Sequence, residues 1–518
     1  MNLPASFTDY TRALLGNEEY EKLFVALEQE PPVSIRLNKL TIDSGQLTVT
    51  MQADSVANSQ LLIFNSQLKQ VPWCEEGYYL DQRLTFTFDP LFHAGCYYVQ
   101  EASSMFVGQV LQQYLSEEPV VMLDLCAAPG GKSTHACSLL PAGSLLVANE
   151  VIRNRSQILA ENLTKWGYPG VVVTNNDPAD FSRLGGFFDV ILTDVPCSGE
   201  GMFRKDPRAI EEWSSDNVEI CWQRQRRIIA DIWQCLKPGG ILIYSTCTYN
   251  TKEDEENVRW ICDEFGAEVL PLDISSEWNI TGNLLTGTNF PVYRFLPHKT
   301  RGEGFFLAAL RKPEGEKEMY GAAGSESFAY EAGNGKATRK KVSAMRGKAA
   351  PAPIGKEQLA TAKSWLAAPE AYELSVNGNT ITAFPKEYIG EFATLQQFLR
   401  IVQAGITVGE VKGKDLIPDH ALAMSRALQP GIFSTEEISY EQAIAYLRKE
   451  AISLSETAPR GYVLLTYRSV PLGFVKNIAI VPITFIRRSG VFAADICPKR
   501  YASCDDEPDI GSDCVLSG

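Results

Sequence analysis

Between Pro119 and Lys312, six apolar, strand-like runs alternate with helical patterns: VVMLDL, SLLVAN, VVVT, FDVILTD, GGILIYST and GFFLAAL. Short apolar runs separated by helices build an α/β domain on a mostly parallel sheet rather than a set of hairpins. A sheet of this kind opens its ligand crevice at the carboxyl ends of its strands. The residues that follow each run are therefore the first candidates for chemistry.

The first run leads into CAAPGGKSTHACSLL, a small-residue turn and then a helix starting near Lys132. Gly130 and Gly131 let the backbone approach a ligand, and the helix start turns unpaired N–H groups toward it. GGKS invites a phosphate-loop reading, but that pattern needs glycine five residues before Gly131, where Cys126 stands. A nucleotide-like cofactor fits this segment better than a nucleoside triphosphate. Glu150 follows the second run at the spacing at which an acid accepts hydrogen bonds from ribose hydroxyls. Asp177 follows the third, where an isolated acid also reads as a helix cap. Three such sites in register span a cofactor from its charged end to its base.

Asp194, Pro196 and Cys197 come directly after the fourth run, and Cys247 directly after the fifth. Adjacent parallel strands would bring both thiols to one crevice. Asn250 with Glu253 reads as a capping box, which places Cys247 ahead of a positive helix end and favours its thiolate. The competing reading is that both cysteines are small core residues. Their shared position at strand ends, among small polar neighbours, favours function. The 12 cysteines include no CxxC pair, and His93, His135, His298 and His420 show no metal-ligand spacing, so neither a disulfide framework nor a metal site is expected.

At 518 residues the chain predicts roughly three or four domains. Its formal charge of −15 provides no overall basic field, so any nucleic-acid contact must be a local patch. Lys336, Arg339, Lys340, Lys341, Arg346 and Lys348 form one candidate, with a solvated linker as the alternative. No run approaches the ~20 apolar residues of a membrane helix, and the N-terminus lacks a secretory pattern; a cytoplasmic protein without membrane contact is expected.

CAAPGGKS, DVPCSGEGMFRKDP and STCTYNTKEDEENV resemble the signature segments of RNA 5-methylcytosine methyltransferases of the Sun-like family, and GCYYVQEASSM and RFLPHKTRGEGFF are similar to further family segments. The resemblance runs from about Ser34 to Lys312, and the long C-terminal extension is similar to the RsmF-type branch. It implies a Rossmann-like, S-adenosyl-L-methionine-dependent catalytic domain, flanked by an N-terminal α+β domain and a C-terminal α+β, PUA-like accessory region. The expected boundaries are 1–95 for the N-terminal substrate domain, 96–312 for the catalytic domain, 313–355 for a linker, 356–455 for an intermediate domain and 456–518 for the PUA-like region. The implied substrate is small-subunit ribosomal RNA, free or within the 30S particle, handled by a monomer.

By the same resemblance Cys126, Ala127, Ala128, Pro129, Gly130, Gly131 and Lys132 surround the methionine end of the cofactor. Glu150 holds the ribose, Asp177 lies by the adenine, and Asp194 lies near both cofactor and target base. Cys247 matches the nucleophile and Cys197 the thiol that assists product release. Two alternatives stay open: a tRNA cytosine-5 methyltransferase, since target choice lies in flanking domains, and a non-catalytic RNA-binding ribosome-assembly factor. The resemblance ends near VPLGFVKNI. Relatives continue with a sequence like GNRANNLYPQEWRI, and a one-base shift of frame in a back-translation of that segment yields AIVPITFIRRSGVF, residues 479–492 here. Residues from about Ala479 are therefore expected to be translated out of frame.

Overall fold

Strands that are apolar at nearly every position need cover on both faces, and the central sheet has it. The computed structural model describes residues 1–39, 41, 68–315 and 355–478. The Lys336 to Lys348 tract and the tail from Ala479 lie outside the described residues.

The N-terminal part opens with helices Ala5–Leu15 and Asn17–Leu27, the second burying Tyr20, Leu23 and Leu27. Strands β1 (Val33–Leu37), β2 (Lys69–Val71), β3 (Cys74–Leu80) and β4 (Tyr97–Val99) form an antiparallel sheet in the order β2-β3-β1-β4. Residues 34–37 of the SIRLN stretch lie in the inner strand β1.

The central sheet is built from β5 (Val121–Asp124), β6 (Leu145–Asn149), β7 (Val171–Thr174), β8 (Phe188–Asp194) and β9 (Leu236–Thr246), all parallel, in the order β9-β8-β5-β6-β7. β10 (Glu268–Leu270), β11 (Tyr293–Phe295) and β12 (Phe305–Arg311) extend it in antiparallel fashion beyond β9. Alternate residues feed two cores. Met122, Leu146, Val173, Leu192 and Ile243 meet the helices Gly131–Leu139 and Arg153–Trp166 on one face. Leu123, Val147, Val172, Ile191 and Leu242 meet the helices Ser215–Trp233 and Glu255–Phe265 on the other. Strand order reverses between β5 and β8, and a doubly wound sheet opens its crevice at such a point.

The accessory region holds β13 (Tyr372–Asn377), β14 (Thr380–Pro385), β16 (Ile406–Lys412) and β17 (Asp415–Pro418) in one antiparallel sheet, and β18 (Ser434–Glu437), β19 (Gly461–Tyr467) and β20 (Val470–Asn477) in another. β18 lies ahead of the expected boundary at 456, yet pairs in parallel with β19 across the helix Tyr440–Leu447. A parallel pair requires such a crossover, so the two segments form one unit. The larger departure from the sequence reading is β15 (Ile401–Ala404), which leaves the accessory region to pair antiparallel with β7, at the edge of the central sheet. Gly167, which ends the helix Arg153–Trp166 at φ +78°, marks a second close approach, because a Cβ there would collide with the Met424 carbonyl.

Candidate active site

The loop after β5 reaches the helix Gly131–Leu139 through Gly130, whose φ of +117° suits glycine. Its carbonyls are tied back from the next helix: Arg155 Nη2 donates to Ala128 O at 2.8 Å and Asn162 Nδ2 to Pro129 O at 2.8 Å. The first N–H groups of the helix have no intrahelical partner and remain for a ligand. Glu150, at the end of β6, is nearly buried; its Oε1 accepts from Ile152 N at 2.8 Å and its Oε2 lies 3.4 Å from Arg155 Nη1. Asp177 is exposed and caps the short helix Pro178–Arg183, accepting from Ala179 N at 3.1 Å. The capping role raised by the sequence is therefore present, and the capping carboxylate still stands at the crevice end of β7.

Asp194 closes β8 with both oxygens engaged: Lys132 Nζ donates to Oδ2 at 2.8 Å and Ser245 Oγ to Oδ1 at 2.8 Å. Burial opposes the charge on Lys132, but Asp194 outweighs it and holds the ammonium pKa above its ordinary value. Cys197 and Cys247, fifty residues apart in sequence, meet with their sulfurs 3.1 Å apart, and Cys247 N donates to Cys197 Sγ at 3.3 Å. The hydrogen bond to Cys247, together with burial, holds the Cys197 thiol well above the usual range.

A buried polar network fixes the loops that carry the thiols. Glu253 accepts from Ser198 N at 3.0 Å, Gln225 Nε2 at 2.7 Å and Asn250 Nδ2 at 2.8 Å. Glu200 accepts from Tyr249 N at 2.7 Å and Trp213 Nε1 at 3.0 Å. Burial, then the nearby Glu200, pushes Glu253 up to about 7. Arg294, fully buried, bridges Asp254 and Glu255 at 2.6 Å each and donates to Tyr249 O. The expected capping box is corrected here. Asn250 does accept from Glu253 N at 2.8 Å, but the helix begins at Glu255, because Asn250 and Glu253 are turned inward to Glu200 and Ser198. The turn locks the loop that carries Cys247 instead of starting a helix beneath the thiol.

Several residues here carried no signal in the sequence. Asp124, within the apolar β5, is fully buried with Oδ2 bound to Ser133 Oγ at 2.6 Å and Oδ1 unpartnered; burial pushes its pKa up to about 7. Asn149 and Asn176 stand one residue before Glu150 and Asp177, and their polarity at the ends of apolar runs is the one hint that marks them. Folding also brings His135 to Cys74 and Glu76, with Cys74 Sγ 3.7 Å from Glu76 Oε2 and 3.8 Å from His135 Nε2. Lys39 pairs with Glu76 and the buried Arg36 adds a second positive charge, an excess of positive charge that opposes a dication there.

Residues 111–311 match the family model for the 16S rRNA methyltransferase RsmB/F, residues 3–102 that for the N-terminal domain of 16S rRNA methyltransferase RsmF, and residues 433–480 that for the methyltransferase RsmF PUA domain. Ribosomal RNA small subunit methyltransferase F of Cronobacter sakazakii is 30% identical over 489 residues, which cover 92% of this chain and 94% of the relative. The protein of the same name from Pectobacterium atrosepticum is 34% identical over 324 residues, 60% of this chain and 63% of the relative, so the match spans less than two thirds of that protein. The solved structure of PH0851 superposes with a TM-score of 0.52 at 25% identity, over 60% of this chain and 66% of that one.

The cofactor of this fold family is S-adenosyl-L-methionine, and the residues present fit it. The glycine turn leaves helix N–H groups open, Asp124 keeps an unpartnered buried oxygen, and Glu150 offers a carboxylate at the strand end where ribose hydroxyls are received. The doubly wound sheet, the crevice at its reversal point and these matches along almost the whole chain agree, and the chain belongs to the ribosomal RNA small subunit methyltransferase F family.

Proposed function

We propose that this protein methylates carbon 5 of a cytosine in small-subunit ribosomal RNA through a covalent bond between Cys247 and the base. The observation that carries this reading is the pair of thiols 3.1 Å apart at the ends of two neighbouring parallel strands, beside the Lys132–Asp194 ion pair. S-Adenosyl-L-methionine, when bound, supplies the methyl group.

Carbon 5 of cytosine is a weak nucleophile, so the chain must activate it. Addition of the Cys247 thiolate to carbon 6 pushes electron density to carbon 5, and covalent catalysis thereby replaces one hard step with easier ones. Asp194 receives the polar edge of the ring, and Lys132, 2.8 Å from that carboxylate, keeps its proton and offers a charged hydrogen-bond donor toward N3. Contact with Cys247, together with burial, raises the Cys197 thiol and favours its protonated form at rest. Once Cys247 is bonded to carbon 6, its sulfur no longer raises Cys197; Cys197 passes its proton to solvent and, as thiolate, takes the hydrogen of carbon 5, whose bonding electrons re-form the ring double bond. Loss of that hydrogen expels Cys247. The target base must leave its stack for the thiol to reach its face, and the N-terminal and PUA-like parts are the flanking surfaces suited to hold the RNA around it.

The test is methyl incorporation from labelled cofactor into unmodified small-subunit rRNA, free and assembled, with base-resolved mapping of the product. Cys247→Ala abolishes incorporation while cofactor binding survives. Cys197→Ala accumulates an RNA adduct visible on a denaturing gel. Turnover by Cys247→Ala would remove the nucleophile assignment, and absence of an adduct with Cys197→Ala would remove the release role.

A further inference from the structure

We propose that Asn176 is a positioning residue through which the accessory region shapes the adenosine end of the cofactor crevice. The inference rests on the reading that Glu150 and Asp177 face ribose and adenine.

β15 runs antiparallel to β7, with Ile401 opposite Thr174 and Ala404 opposite Val172, so the accessory chain arrives at Arg400 beside the carboxyl end of β7. There one peptide meets one side-chain amide. Arg400 N donates to Asn176 Oδ1 at 2.9 Å, and Arg400 O accepts from Asn176 Nδ2 at 3.2 Å and from Asn175 N at 3.1 Å. The amide continues the strand pairing past the point where the strands separate.

From Asn176 the bonding passes to the neighbouring strand end. Asn176 N donates to Asn149 Oδ1 at 3.0 Å and its carbonyl accepts from Asn149 Nδ2 at 3.0 Å; Asn149 Nδ2 also donates to Leu125 O at 3.1 Å. Asn175 Nδ2 donates to the carbonyls of Glu150 and Val151 at 2.7 and 2.9 Å. The residues just ahead of both acids, Asn149 and Asn176, therefore share one buried network whose outermost member is a peptide of the accessory region. Thr164 Oγ1 accepts from Gln403 Nε2 at 2.9 Å, which fixes the same strand to the helix behind the crevice. Removing the Asn176 amide unties the Arg400 peptide from the end of β7, and the backbone ahead of Asp177 loses its outer anchor. Arg400 acts on the cofactor by position, since the partner of Asn176 is its peptide.

The experiment uses the full chain and calorimetric titration with S-adenosylhomocysteine and with adenosine alone. Asn176→Ala, which removes both amide hydrogen bonds to the Arg400 peptide, weakens both ligands by the same factor, about fivefold to tenfold. Binding stoichiometry stays at that of the wild type; a merely structural defect would lower stoichiometry and leave Kd alone. Arg400→Pro removes the donor from the accessory side, at a place where the preceding Leu399 is already extended. Its loss and that of Asn176→Ala do not add in the double variant, as expected of residues acting through one bond. Should Arg400→Pro not fold, Asn176→Ala decides alone. Homocysteine-compound affinity within about twofold of wild type in Asn176→Ala, or additive losses in the double variant, overturns the inference. Glu150→Ala is the internal reference: if it binds both ligands as the wild type does, the reading of this crevice end falls, and the inference with it.

Discussion

The loops after β5 and after β9 leave strands that flank β8, and they are held in opposite ways. Behind the cofactor loop, Arg155 and Asn162 tie back peptide carbonyls, while the buried carboxylate of Asp124 keeps an oxygen without a partner. Behind the thiol loop stand four buried acids, Glu200, Glu253, Asp254 and Glu255, each accepting at least two hydrogen bonds. A loop that awaits a ligand leaves polar groups for the ligand to complete. A loop that must present a sulfur at a fixed place is completed beforehand.

This contrast breaks most visibly at Arg294. Arg294→Met leaves Asp254 and Glu255 as uncompensated buried carboxylates and costs about 3–5 kcal/mol of stability, measured by urea unfolding. A loss below about 1 kcal/mol would show that the thiol loop does not depend on that charge balance. The cofactor loop responds to pH. Because burial raises Asp124 from the ordinary carboxylate range to about 7, the folded state holds the proton more tightly than the unfolded chain. Stability in the absence of cofactor therefore falls as pH rises from about 4 to about 7, and Asp124→Asn, which retains an acceptor for Ser133, recovers on the order of 2–3 kcal/mol at pH 8. An unchanged pH profile in that variant would place the titration elsewhere. The smallest effect concerns Asp177. Asp177→Ala costs about 1 kcal/mol through the lost cap, and Asp177→Asn restores it. A contact to adenine would appear separately, as weaker S-adenosylhomocysteine binding in both variants.

The sequence was most legible where one run of residues decides one element. VVMLDL, SLLVAN and VVVT are strands because continuous apolar runs suit a doubly covered sheet, and Gly130, Glu150 and Asp177 follow their carboxyl ends. Cys197 and Cys247 meet because β8 and β9 are neighbours, which strand alternation alone suggests. Legibility failed where partners lie far apart in sequence. Arg36 and Arg294 are single charges inside otherwise apolar strands; Arg36 donates to Gln100 and Thr134, and Arg294 to acids some forty residues upstream. Asn250 and Glu253 do form their local pair, yet buried Glu200 recruits it into the core. β15 reads as a brief half-buried run, IVQA, and joins the central sheet because β7 offers it an open edge. That property belongs to the partner strand.

The late arrival of β15 also has a cost in time. On a translating ribosome, β7 emerges some two hundred residues before the segment that covers it. At roughly 5–20 residues per second, the catalytic sheet waits on the order of 10–40 s with an unpaired border. An uncovered strand border is a template for pairing with other chains. A nascent chain halted between Lys312 and Ile401 thus has both thiol-bearing strands in place while the β7 border still lacks the strand that pairs with it.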